Sequence, residues 1–240
     1  MYRTSLFALI AMIPFAYGDQ LDSVDRTTIV EALSENSTGH LMLAQAKPNP
    51  VSGRFELGKH YQRLSPTQPT SSSPDQIEVA EIFWYGCPHC YTFDPFLESW
   101  RPDLPNYVNF IRVPAVWNPL LQMHARAFYA AEVLGKNEEM HISFFREIHV
   151  NGNFLDSEES LASFFDQFGV SRDEFQNAYN SFAVHAKLQR ADELSRRYRV
   201  ASVPMVVING KYTTSASEAG GYPTLIELID ELVAIEANDN

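Results

Sequence analysis

The chain has 240 residues, 45% of them hydrophobic and 12% aromatic, which is enough for a sizeable core and excludes a disordered or collagen-like class. With 18 basic against 30 acidic residues the net charge is −12, so no basic field is available for a phosphate backbone or an anionic lipid surface, and nucleic acid is not an expected partner. No apolar run approaches the ~20 residues that span a bilayer.

In chain order, the first feature is a three-part N-terminus. Arg3 supplies a positive charge, Leu6 to Phe15 an apolar stretch, and Ala16-Tyr17-Gly18 a small-x-small cleavage site. This pattern predicts a signal peptide over 1–18 and export of the remainder. No cysteine follows the apolar run, so a lipid anchor is not indicated. Residues 19–52 are polar, with one modest helical pattern near Thr28 to Leu33 and a breaker at Lys47-Pro48-Asn49-Pro50, and are expected to form a flexible lead-in.

A short segment, Phe55 to Leu64, precedes a Ser/Thr/Pro/Gln-rich run from Ser65 to Asp75 that predicts an exposed loop. Ile77 to Trp84 is mostly β-branched, aromatic or apolar, as a buried strand should be. Tyr91 to Trp100 reads as a helix stopped by Pro102 and Pro105, and Tyr107 to Val113 as a second strand ending before Pro114. Residues 120–199 change to helical spacing, with Gly135 and Gly169 as stops and Asp156-x-x-Glu159 and Ser171-x-x-Glu174 as capping boxes. Met205 to Ile208 is a strand, Asn209-Gly210 a tight turn, Lys211 to Thr213 the partner strand and Pro223 to Ile235 a closing helix. The order predicts an α/β fold: residues 53–119 and 200–240 form one unit, and a helical insertion with its connecting helix lies between them.

The chain has two cysteines, Cys87 and Cys90. A ring that short removes little entropy from the unfolded chain, so a structural staple is a poor explanation for the spacing. The pair sits where a strand gives way to a helix. Free N–H groups and the partial positive charge of a helix start stabilise a thiolate at Cys87. Pro88 fits the first turn, where its missing donor costs nothing. His89 adds a donor, and when protonated a charge, beside the sulfur. These features predict a nucleophilic Cys87, a resolving Cys90 and an oxidising pair, since stabilising the thiolate favours the reduced form. The competing readings are a metal half-site, which would need two further ligands from scattered histidines, and an accidental pair. Glu81 is a carboxylate within the otherwise apolar stretch Val79 to Trp84; it either has a raised pKa and handles the proton of Cys90, or faces solvent or pairs with Arg112. His40, His60, His124, His141, His149 and His185 join no motif and read as surface or satisfied polar residues. Phe144-Phe145 and Phe164-Phe165 read as core, and the acidic residues near the C-terminus as a solvated face.

Phe83-Trp84-Tyr85-Gly86-Cys87-Pro88-His89-Cys90-Tyr91, with Val203-Pro204 and Asn209-Gly210-Lys211-Tyr212 downstream, resembles the DsbA family of periplasmic thiol:disulfide oxidoreductases, over about Phe55 to the C-terminus. The resemblance implies a thioredoxin fold with an inserted helical domain and a redox-active Cys87-Cys90 disulfide. It also implies a cis Pro204 facing Cys87, with the Val203 backbone free to pair with an extended substrate. The expected activity is disulfide donation to reduced, unfolded exported proteins in the periplasm. Reoxidation would fall to a membrane quinone-linked partner of the DsbB type, with no bound cofactor or metal, and the chain is expected to be a monomer. Within the enzymes the alternative is a disulfide isomerase or reductase, for which residues 19–52 are too short and polar to be a dimerisation domain. Outside them it is a peptide-binding chaperone without turnover.

Overall fold

The computed structural model describes residues 53–239. The expected signal peptide and lead-in therefore lie outside the described residues. Fourteen segments follow one another: β1 (Gln62–Arg63), β2 (Ile77–Phe83), α1 (Pro88–Trp100), a 3-10 turn (Arg101–Asp103), β3 (Val108–Pro114), α2 (Pro119–Val133), α3 (Asn137–His149), α4 (Glu158–Asp166), α5 (Arg172–Tyr179), α6 (Phe182–Arg197), β4 (Met205–Ile208), β5 (Tyr212–Thr214), α7 (Ala216–Ala219) and α8 (Tyr222–Asp239).

The strands form one sheet in the order β1-β5-β4-β2-β3. β2 and β3 are parallel, in register from Ile77 opposite Val108 to Phe83 opposite Pro114, and the other pairings are antiparallel. β2, paired on both sides by β3 and β4, is buried along its whole length, and alternation sends Ile77, Val79 and Glu81 to one face and Glu78, Ala80 and Ile82 to the other. β2 stops at Phe83, one residue before the sequence reading, with a last rung from Ala115 N to the Phe83 carbonyl at 2.8 Å.

Two apolar clusters flank the sheet. One joins Ile77, Val79, Val206 and Ile208 to Phe93 and Leu97 of α1 and to Leu225, Leu228, Ile229 and Leu232 of α8. The other joins Ala80, Ile82 and Phe83 to the helices between β3 and β4 through Phe128, Phe144, Phe145, Phe164, Phe165 and Phe175. This is a thioredoxin fold interrupted between β3 and β4 by five helices.

Several local expectations are corrected. α1 begins at Pro88, not Tyr91, because Cys87 is extended at φ −86°, ψ 116° and proline can occupy the first helical position. The cap of α4 is Ser157 rather than Asp156: its hydroxyl accepts from Ser160 N at 3.1 Å while Ser160 Oγ accepts from Ser157 N at 3.2 Å. The Ser171/Glu174 box caps α5. At the β4–β5 turn Asn209 and Gly210 both have positive φ, 51° and 60°, the geometry of a tight hairpin. A Cβ on Gly210 would fall 2.0 Å from the Gln68 carbonyl oxygen, so the Ser65 to Asp75 loop docks against that turn. The acidic C-terminal helix is not wholly solvated. Glu231 and Glu236 are buried, and Glu236 accepts from Asn209 Nδ2 at 2.8 Å and Lys211 Nζ at 2.7 Å, fastening the same turn.

Candidate active site

Cys87 is the N-cap of α1 and Cys90 lies one turn in, both free thiols and both buried. The Cys87 thiol donates to the Val203 carbonyl at 3.4 Å, across a Val203-Pro204 peptide that is cis. A groove of about 530 Å³ opens beside this contact, lined by His89, Ser202, Val203, Pro204, Ser215 to Ser217 and Tyr222.

The two thiols are held apart in acidity. Cys87 is lowered from 9.0 to about 6, chiefly by the hydrogen bond from the Cys90 side chain, against the cost of burial, with smaller help from the Cys90 and His89 backbone N–H groups and last from the His89 charge. The sequence reading gave His89 a larger share than the geometry does. His89 is exposed, and its carbonyl accepts from the Tyr222 hydroxyl at 3.2 Å, so its backbone is the better-placed part. Cys90 is pushed well above the ordinary thiol value by burial first, then by Cys87, with a further contribution from Glu81. With a low-pKa outer thiol beside a high-pKa inner one, the arrangement suits Cys87 to act as nucleophile and leaving group and leaves Cys90 as the sulfur that would have to gain or lose a proton.

Glu81 combines two readings that the sequence set against each other. It pairs with Arg112, Nε to Oε2 at 3.1 Å, and burial nonetheless raises its pKa from 4.5 to about 7 because Arg112 offsets the desolvation only in part. Arg112 is shared: it also reaches Asp94 at 2.8 Å and Glu98 at 2.7 Å. A cleft of about 380 Å³ borders Asp94, Glu98, Arg112, Glu138 and His141. Beneath Cys90 there is thus a carboxyl able to exist in either protonation state near neutrality, joined by a charged chain to the rim of that cleft.

Three histidines that join no sequence motif hold the residues flanking the cysteines. His124 accepts at Nδ1 from the Trp84 indole N–H at 3.0 Å. His141 joins the Tyr85 hydroxyl at 2.9 Å to Asp94 at 3.0 Å. His149 stacks on Tyr91, centroids 4.9 Å apart, and donates from Nε2 to the Tyr85 carbonyl at 2.8 Å. Their reading as satisfied polar groups describes the hydrogen bonds and misses the partners. Those partners lie 40, 56 and 64 residues away in the chain, and no local pattern encodes such a distance. Asp94 and Tyr222 went unnoticed for the same reason.

Comparison with known proteins agrees with this geometry. A model of the DSBA-like thioredoxin domain matches residues 103–220, beyond the cysteine pair itself. The chain is similar to the thiol:disulfide interchange protein DsbA of Azotobacter vinelandii, 38% identical over 182 residues that cover 76% of this chain and 85% of that one. It is also similar to the DsbA of Burkholderia cepacia, 36% identical over 192 residues, covering 80% and 88%. Among solved structures, Pseudomonas aeruginosa DsbA aligns at a TM-score of 0.74 with 37% identity, covering 77% of this chain and 96% of its own. The oxidoreductase DsbA of Xylella fastidiosa aligns at 0.72 with 31% identity, covering 76% and 97%.

Proposed function

The chain belongs to the DsbA family of thiol:disulfide interchange proteins, a thiol:disulfide oxidoreductase family, and we propose that it acts as a disulfide donor through Cys87 and Cys90. The observation that carries the reading is the opposed acidity of the two sulfurs. A thiolate stabilised at about pKa 6 makes the reduced pair favourable, and so makes the disulfide oxidising.

A substrate thiolate attacks Cys87 Sγ of the disulfide. The S–Cys87 bond forms, the Cys87–Cys90 bond breaks, and Cys90 leaves as a thiolate that takes the proton of protonated Glu81. A second substrate thiolate then attacks the substrate sulfur of the mixed disulfide and expels Cys87, whose low pKa makes it a good leaving group. Two electrons pass from the substrate dithiol to the pair, and Glu81 regains its proton from solvent, its charged form being held meanwhile by the Arg112 guanidinium. Pro88 starts the helix that presents the sulfurs. The Val203 carbonyl and Pro204 line the groove, where an extended peptide can pair with the backbone and add a strand.

In this reading 53–119 and 200–240 carry the exchange site and 120–199 buttresses it. The N-terminal pattern over 1–18 supports export, hence a periplasmic location and reduced, unfolded exported proteins as clients. A quinone-linked membrane protein of the DsbB type would return the pair to the disulfide.

The test is equilibration of the protein with glutathione buffers. A potential well above the thioredoxin range supports donation of disulfides, and a thioredoxin-like potential means a reductase; ~30 mV corresponds to about 1.4 kcal/mol for this two-electron couple.

A further inference from the structure

The Trp84 indole lies directly over Gly86, the residue before Cys87: a Cβ on Gly86 would fall 2.3 Å from the ring. The Trp84 carbonyl also accepts from Cys87 N at 3.0 Å, so the placement of this tryptophan and that of the attacking cysteine are the same question. What holds the indole is His124, stacked on it with an interplanar angle of 26°. An indole N–H can only donate, so Nδ1 of His124 carries no proton and its single proton is on Nε2. That proton is shared between the Phe154 and Leu155 carbonyls at 3.1 and 3.3 Å. Leu155 is buried in a left-handed conformation, φ 49°, so the same imidazole fastens a strained turn of the helical insertion to the redox motif.

We infer that His124 is a positioning residue for the exchange site: neutral, it pins Trp84 over Gly86 beside Cys87, and a proton added at Nδ1 sets two donors face to face and releases the indole. The inference rests on the exchange site proposed above and adds its regulation by acid. The groups around the ring bear this out: Trp84 from the β2–α1 turn, the edge of Phe144 from α3, and the Phe154 and Leu155 carbonyls with the Asp156 charge from the α3–α4 connection. Burial lowers the His124 pKa below 6.5, against the pull of those carbonyls and of Asp156, so release belongs to moderately acid conditions.

The test uses the oxidised protein, in which no thiolate titrates. The indole N–H resonance of Trp84, assigned by its loss in Trp84→Phe, is followed from neutral to acid pH in the wild type and in His124→Asn, whose side-chain oxygen can accept from the indole and does not titrate. Alongside, the rate of reduction by a small thiol is measured at both ends of the range in wild type, His124→Asn and Trp84→Phe. The expected result is a one-proton shift with a midpoint below 6.5 in the wild type, absent in His124→Asn. The acid-to-neutral rate ratio should also differ from that of both variants, about fivefold for one lost hydrogen bond. A flat wild-type resonance, a transition that survives in His124→Asn, or identical rate ratios in all three proteins overturns the inference. The resonance needs no turnover. A protein that fails to oxidise dithiols therefore sinks the proposed function while the titration still judges the anchor.

Discussion

The two faces of the central sheet are closed by different chemistry. Toward α8 the contact is apolar, Val79, Val206 and Ile208 against Leu225, Leu228, Ile229 and Leu232. Toward the inserted helices an equally apolar mass of phenylalanines is interleaved with His124 and His141, buried imidazoles whose hydrogen bonds end on Trp84 and Tyr85. The α8 contact needs only volume and hydrophobicity, whereas the inserted-helix face fixes atoms relative to one another beside the cysteines, as the Glu81–Arg112–Asp94 chain does at the α1 end of the first face. The comparison separates stability from positioning, because a core residue acts through area removed from water and a buried hydrogen bond through the cost of leaving a partner unmade.

The largest effect that sharpens this contrast is on turnover. Cys87→Ala should abolish oxidation of a model dithiol while leaving binding of an unfolded peptide to the groove unchanged; residual oxidation would reject the mechanism and leave a peptide-binding module. Next comes stability without chemistry. Leu228→Ala on the apolar face should cost about 2–5 kcal/mol in denaturant unfolding and leave the Cys87 thiol titration where it is. His141→Leu should cost less, about 1–3 kcal/mol for the unsatisfied Tyr85 hydroxyl and Asp94 carboxylate, and should shift that titration. If both variants behave alike, the two faces are not different in kind.

Glu81→Gln probes the charged chain under Cys90. Because burial raises the Glu81 carboxyl from 4.5 to about 7, its protonated form is the one the fold favours, so stability is greatest below 4.5 and declines as pH rises through 7. The glutamine variant should lack that decline, and thermal melts at pH 4 and 8 should diverge in its favour at the higher value. It should also slow exchange about tenfold or more, as loss of a placed proton carrier does; wild-type rates at every pH would leave Glu81 only its structural pairing. The smallest expected effect divides the influences on Cys87. Cys90→Ala should raise the Cys87 pKa more than His89→Ser does, since the Cys90 hydrogen bond is the largest influence and the His89 charge the least. The reverse order, read from thiolate absorbance, would put the histidine ahead of the Cys90 hydrogen bond.

What the sequence determined by itself was local. Cys87-Pro88-His89-Cys90 at a strand-to-helix junction announces a reactive pair because helix starts and thiolates attract each other over a few ångströms. Asn209-Gly210 announces its turn because both residues tolerate positive φ. The run from Ile77 onward announces a strand buried on both sides. Even Glu81 stood out, as an acid where the pattern demands none. Tertiary structure decided the rest: that Glu81 shares Arg112 with Asp94 and Glu98, that Glu236 turns inward to hold the hairpin, and that His124, His141 and His149 reach back to Trp84, Tyr85 and Tyr91. Propensity and periodicity act over a few residues along the chain, whereas a proton's affinity and a ring's orientation depend on whatever folding brings within a few ångströms, and those neighbours come from anywhere in the sequence.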